Sequence, residues 1–178
     1  MYKFISLTLL LLALVLQTYA QRPANYEDVA VIVNTRSNNS VAIGNYFKTA
    51  RSIPDENMIY VDVDSSEIVA LSVVQDLISQ IEDTIIARGL ENKFNYLVTT
   101  KGIPLKHKQS GGSSGDLSWA RAAVDAELRI ILNPTLASSI GAQYPVANPY
   151  YSAREYFTRA KYGFFLVTRL TGYSFLLQ

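Results

Sequence analysis

Two apolar runs, at 29–33 and 96–98, carry no polar residue on either parity. A strand with one wet face alternates apolar and polar side chains, whereas a strand covered on both faces does not. Val29-Ala30-Val31-Ile32-Val33 is also mostly β-branched, which suits a pleated, buried backbone. Strands of this kind need cover above and below, and the intervening sequence has the period to supply it. From 71 to 85, Leu71, Val74, Ile78, Ile81 and Ile85 recur at three- and four-residue steps, with Gln75, Asp76, Ser79, Glu82 and Asp83 on other faces. Asp64-Ser65-Ser66-Glu67 has capping-box spacing ahead of this helix, and Gly89 follows it as a left-handed stop. A shorter helix is expected over 41–51, with Ser40 as N-cap, Ile43, Phe47 and Ala50 on one face, and Ile53-Pro54 as the stop. A more alternating strand at 58–63 belongs nearer an edge.

Strand, helix, strand, helix, strand at this spacing makes two right-handed βαβ crossovers. The expected fold is therefore α/β: a small parallel sheet of about four strands with helices on both faces, its first and third strands central. A third helix is expected over 118–132, packing through Val124, Leu128 and Ile131, and a fourth strand over 164–167 leading into Thr168-Arg169. A Gly/Ser-rich stretch at 108–118 reads as a mobile loop. The tyrosines between 144 and 162 read as packing groups in an irregular region. The chain ends nine residues after Arg169 with no helix to cover the last strand, so it is expected to be C-terminally incomplete.

Residues 1–20 stand apart from this single domain of 21–178. Lys3, an apolar segment over 4–16 and the small residues Thr18 and Ala20 have the order of a secretory signal peptide. The apolar core is shorter than the roughly 20 residues a spanning helix needs. The expected product is exported to the periplasm or beyond, with no membrane contact after cleavage. Loss of Lys3 leaves equal numbers of basic and acidic residues. That balance gives no pull toward nucleic acid or an anionic membrane. No Cys and a single His exclude a thiol nucleophile, a thiolate metal site and a histidine-rich one; no cofactor is predicted.

In open α/β sheets ligands gather at the carboxyl ends of strands. Those ends should bring together Asn34, Thr99, Thr100, Lys101, Thr168 and Arg169, an amide, hydroxyls and two cations suited to a carboxylate or phosphate. The prediction places Lys101 and Arg169 in one concavity with donors left open, walled by Asn34 and by Thr99 or Thr100. Asp125 and Glu127 are the carboxylates for acid/base work, although two-residue spacing on a helix points them apart and Arg121-Asp125-Arg129 reads as a surface ladder; in an irregular segment Asp125 would instead face the strand ends. His107 reads as a solvated loop residue, or as a mobile base near Ser110, Ser113 and Ser114. Arg51, at a helix carboxyl end, is read as structural.

Several segments in order resemble a bacterial family of exported, uncharacterised proteins found in species that carry the exosortase (PEP-CTERM) sorting system. They are Val33-Asn34, Ser40-Val41-Ala42-Ile43 with Tyr46, Arg51-Ser52-Ile53-Pro54 with Asn57, the run from Tyr96 to Leu105, Val124-Asp125-Ala126-Glu127-Leu128, Asn148-Pro149-Tyr150-Tyr151, and Leu166-Val167-Thr168-Arg169-Leu170-Thr171-Gly172. The resemblance implies export and an α/β fold, with members longer than this chain and an Asp usual where Thr171 stands. It implies no particular reaction. The leading functional expectation is binding of a small polar or anionic ligand at the strand ends, as part of a larger enzyme. A hydrolase relative with the caspase-like fold but no catalytic Cys, and a non-enzymatic accessory protein of envelope sorting with a protein partner, are the alternatives.

Overall fold

A computed structural model describes residues 25–108, 121–136, 140–141 and 148–171. The signal-peptide reading, most of the Gly/Ser-rich loop, Ser110, Ser113, Ser114 and Tyr144 lie outside the described residues.

Four parallel strands form the main sheet in the order β2-β1-β4-β7: β1 Val29–Asn34, β2 Met58–Val61, β4 Tyr96–Thr100 and β7 Leu166–Leu170. β1 and β4 are the central pair, registered Val31 to Val98, and every residue of β1 is buried. The missing alternation has this cause. β2 and β7 are the edges.

Helix α1 (Asn38–Arg51) lies on one face, where Val41 and Phe47 pack on a cluster of Val29, Val31, Val33, Ile53, Met58 and Val98. It starts earlier than expected. Ser37 is the N-cap and accepts from the Ser40 amide, so Ser40 sits one turn inside, buried, while Ala50 is exposed. Contact with the sheet runs through Gly44, not through Ala50: a Cβ there would lie 2.5 Å from Val33 Cγ2. Arg51 ends this helix and lies over the Tyr26 ring at 5.7 Å, a structural position.

Helix α2 (Leu71–Ala87) covers the other face with Val74, Leu77, Ile78, Ile81 and Ile85, and Gly89 follows it at φ 65°. Its expected capping box does not cap it. Asp64 accepts from the Ser66 amide and hydroxyl in a local turn, and β3 (Ile68–Ala70) intervenes before the helix. β3 pairs in parallel with β5 (Lys106–Lys108), which pairs antiparallel with β6 (Arg121–Ala123), giving a second, three-stranded sheet. Part of the expected third helix is therefore strand β6, followed by a short α3 (Val124–Leu128). Val124, Leu128 and Ile131 are buried as expected. α3 joins Val69 and the apolar face of α2 in one core with Ile32, Leu97 and Phe165. A last short helix, α4 (Arg159–Tyr162), precedes β7.

Tyr150, Phe157, Tyr162 and Phe164 form a ring cluster, Phe157 and Tyr162 stacked at 5.5 Å, so Tyr150 and Tyr162 serve packing, whereas Tyr151 and Tyr156 are exposed. The Tyr162 phenol is pushed up to about 12 because its O–H donates to the Glu155 carboxylate, a bond that only the protonated phenol can make. Among the described residues no helix is long and apolar enough to cross a membrane.

Candidate functional site

A cavity of about 530 Å³ opens at the carboxyl ends of the main sheet. Four pieces of chain wall it. The start of α1 gives Ser37 and Asn39, the link from β2 to β3 gives Ser65 and Glu67, the turn after β4 gives Lys101 to Ile103 and Leu105, and the end of β7 with the residue beyond it gives Arg169 and Thr171. Gly102 forms the floor at φ 107°, a backbone region that side chains rarely enter, and a Cβ there would lie 2.4 Å from Ser37 Oγ. Both the backbone angle and the approach of Ser37 require glycine at this turn.

Lys101 and Arg169 both line the cavity, as the strand-end reading expects. Arg169 differs in its pairing. Its Nε donates to Asp125 Oδ2 at 3.1 Å and its Nη2 to Asp125 Oδ1 at 2.5 Å, while Nη1 and Nη2 donate to the carbonyls of Ile103 and Pro104. This guanidinium is a clasp that holds the post-β4 turn against β7, with its charge offset by Asp125. The expectation that both cations keep open donors is therefore wrong for Arg169. A carboxylate reached this position because α3 is only five residues long and turns Asp125 toward the strand ends.

Of the remaining residues of the expected cradle, three are buried and none lines the cavity. Asn34 is fully buried: its Nδ2 donates to the carbonyls of Val63 and Gly102, and its Oδ1 accepts from the amide of Arg36. Thr100 is buried and shares a hydrogen bond with Ser40, donating also to the Ile32 carbonyl. Thr99 is buried, with its hydroxyl 3.5 Å from Asp125 and 3.4 Å from the Thr168 carbonyl. Thr168 itself is exposed on β7. None of these four is among the lining residues, so the concavity predicted with Asn34 and Thr99 or Thr100 as wall is replaced by one walled from α1 and the β2–β3 link.

Asp125 and Glu127 diverge as their spacing requires. Asp125 pairs with Arg169. Glu127 is buried and accepts from the Gly141 amide at 3.0 Å, with its other oxygen 3.1 Å from His107 Nε2. His107 is completely buried in β5, so it is neither a solvated loop residue nor a mobile base. Its only polar neighbours among the described residues are Glu127 and the Lys108 carbonyl.

Glu67 and Ser65 are cavity residues that the sequence reading passed over, because they were assigned to a helix cap. The Glu67 carbonyl accepts from the amides of Leu105 and Lys106, which fixes its backbone beside the cavity it lines. The wall thus presents an ammonium, a carboxylate, hydroxyls and an amide above an apolar base of Ile103 and Leu105. Such a set suits a small ligand carrying both donors and acceptors. Among the described residues no group of three or more His, Asp or Glu could hold a metal ion. No family model, no curated protein and no solved structure matches the chain.

Proposed function

We propose that this chain is an exported α/β protein that binds a small polar ligand at the carboxyl ends of its parallel sheet. The observation that carries the reading is the position of the 530 Å³ cavity, at the strand ends where open α/β sheets take their ligands, with Lys101 and Glu67 both on its wall. With Arg169 held by Asp125, the wall brings together Lys101 and Glu67, a cation and a carboxylate. A ligand with both an anionic and a cationic end, of free amino-acid size, matches it better than a bare anion. Export is supported by the charged, apolar and small-residue order of 1–20 and by the resemblance to exosortase-associated exported proteins.

The test is calorimetric titration of the mature protein with a panel of free amino acids, with inorganic phosphate and glucose as comparators. At least one amino acid should bind saturably, and Lys101→Met and Glu67→Gln should each weaken it tenfold to a hundredfold. That range follows from the roughly 1.5–3 kcal/mol of a hydrogen bond to a charged group. Failure of the whole panel to bind, or binding indifferent to both substitutions, refutes the reading.

A further inference from the structure

Arg159 opens α4 at the other end of the sheet, where its backbone amide donates to Asn95 Oδ1 just ahead of β4. Its Nη1 donates to the Glu91 carbonyl at 2.5 Å and its Nη2 to the Leu132 carbonyl at 2.9 Å, and its guanidinium carbon lies 4.4 Å from the centre of the Phe165 ring. These contacts hold the group firmly, yet none of them carries a negative charge. Among the described residues no carboxylate pairs with Arg159, although Asp125 offsets Arg169 and surface carboxylates pair with Arg36, Lys48, Lys93 and Lys161. Its Nε is buried with no hydrogen-bond partner. Burial without a counter-charge lowers the affinity of the guanidinium for its proton, the direction an unpaired, desolvated cation must show.

Beside this cation is a cavity of about 330 Å³, lined by Asn92, Asn95, Asn133 and Arg159 with Phe94 and Pro134. Asn95 and Asn133 are fixed: Asn95 Nδ2 donates to Asp28, and Asn133 Nδ2 donates to the Gly163 carbonyl while its Oδ1 accepts from the Thr135 amide. Asn92 is exposed at the rim. A guanidinium has five donors, and two of those on Arg159 are used. Rigid, half-buried and, among the described residues, without a counter-ion, it lies beside an asparagine-lined cavity and is pre-organised for charge-assisted hydrogen bonds to an oxyanion.

We infer that the amino-terminal end of the sheet carries a second ligand site, in which Arg159 and the asparagines around it bind a small carboxylate or phosphate. The site is independent of the strand-end cavity. β4 has five residues, which at about 3.3 Å per residue separates the two ends by roughly 17 Å. That is about twice the distance over which physiological salt screens a charge.

The mature, isotope-labelled protein is titrated with sodium phosphate and, separately, with sodium malonate at constant ionic strength, and backbone amide shifts are followed. The amides of Asn92, Asn95 and Gly163 should shift and saturate, and comparison of the two salts distinguishes a phosphate site from a carboxylate site. Asn92→Asp places a carboxylate at the rim of the cavity and should weaken binding about tenfold without disturbing the fold, because the position is exposed. Arg159→Gln should abolish binding; if it unfolds, Asn92→Asp still decides. Lys101→Met should leave these shifts unchanged. Linear, non-saturating shifts, affinity unchanged in Asn92→Asp, or response confined to Gly102 and Thr171 would each overturn the site. The last outcome would leave the strand-end reading intact.

Discussion

Asn34 ends a strand on which every neighbour is apolar, and its amide group does what water would do at a surface. Nδ2 ties together the carbonyls of Val63 and Gly102, and Oδ1 takes the Arg36 amide. Three chain segments that wall the cavity therefore hang on one side chain. Asn34→Ala leaves those buried backbone groups without partners, each costing about 1–3 kcal/mol, so a loss of roughly 3 kcal/mol or more is expected. Urea denaturation should show the midpoint falling with the slope unchanged. A loss under about 1 kcal/mol would mean that water substitutes for the amide. The position of Asn34, Lys101 and Arg169 at strand ends was legible because strand boundaries are visible in apolar runs. Their partners were not. Asp125 is 44 residues from Arg169, and the contact depends on the rotation of a five-residue helix that no periodicity specifies. Glu67 was missed for the converse reason: a local pattern, the capping box, offered a sufficient explanation for a residue that tertiary structure uses otherwise.

At the scale of elements, legibility followed length. β1, β4 and α2 are long enough to carry a period, and the sequence places them with the burial they show. The three strands of the second sheet have three residues each, too few for alternation to be distinguished from chance. α1 was legible in existence but not in orientation. Phe47 of the expected stripe does pack on the sheet, but the fully buried positions are Ser40 and Gly44, a polar and a null side chain, which no apolar stripe marks. Close approach is the reason. With no Cβ at Gly44 the helix rests directly on Val33, and Met58 lies within 3.7 Å of where a Cβ would be. Gly44→Ala should therefore destabilise the protein despite alanine's higher helix propensity. The clash with Val33 costs on the order of 1–3 kcal/mol, against a propensity gain of about 1 kcal/mol. Thermal unfolding read beside Ala42→Gly, an exposed position on the same helix, separates the two terms. Stabilisation by Gly44→Ala would show that α1 lifts from the sheet without cost.

For the molecule as a whole, the question is how a four-stranded sheet and a three-stranded one behave as one body. They share an apolar core, since Val69 of β3 and Val124 and Leu128 of α3 pack with Ile32, Leu97 and Phe165. The polar joint between them is the buried His107 and Glu127 pair, which links β5 to α3, with the Gly141 amide as a further donor. β5 and β6 are only three residues long, so each makes few ladder bonds and they belong to the low-stability end of the molecule. α3 also carries Asp125 and thereby the clasp on Arg169, so the joint supports one wall of the strand-end cavity at second hand. Glu127→Ala removes the partner of a completely buried imidazole and should destabilise this joint by about 1–3 kcal/mol or more. Amide hydrogen exchange should then quicken in Lys106–Lys108 and Arg121–Ala123 while Val29–Asn34 and Tyr96–Thr100 keep their protection. The double variant His107→Phe with Glu127→Leu replaces the pair with apolar groups and should recover most of the loss, as buried polar pairs commonly allow. Equal acceleration across both sheets would show instead that the molecule opens as a single cooperative unit and that the pair is not a local joint.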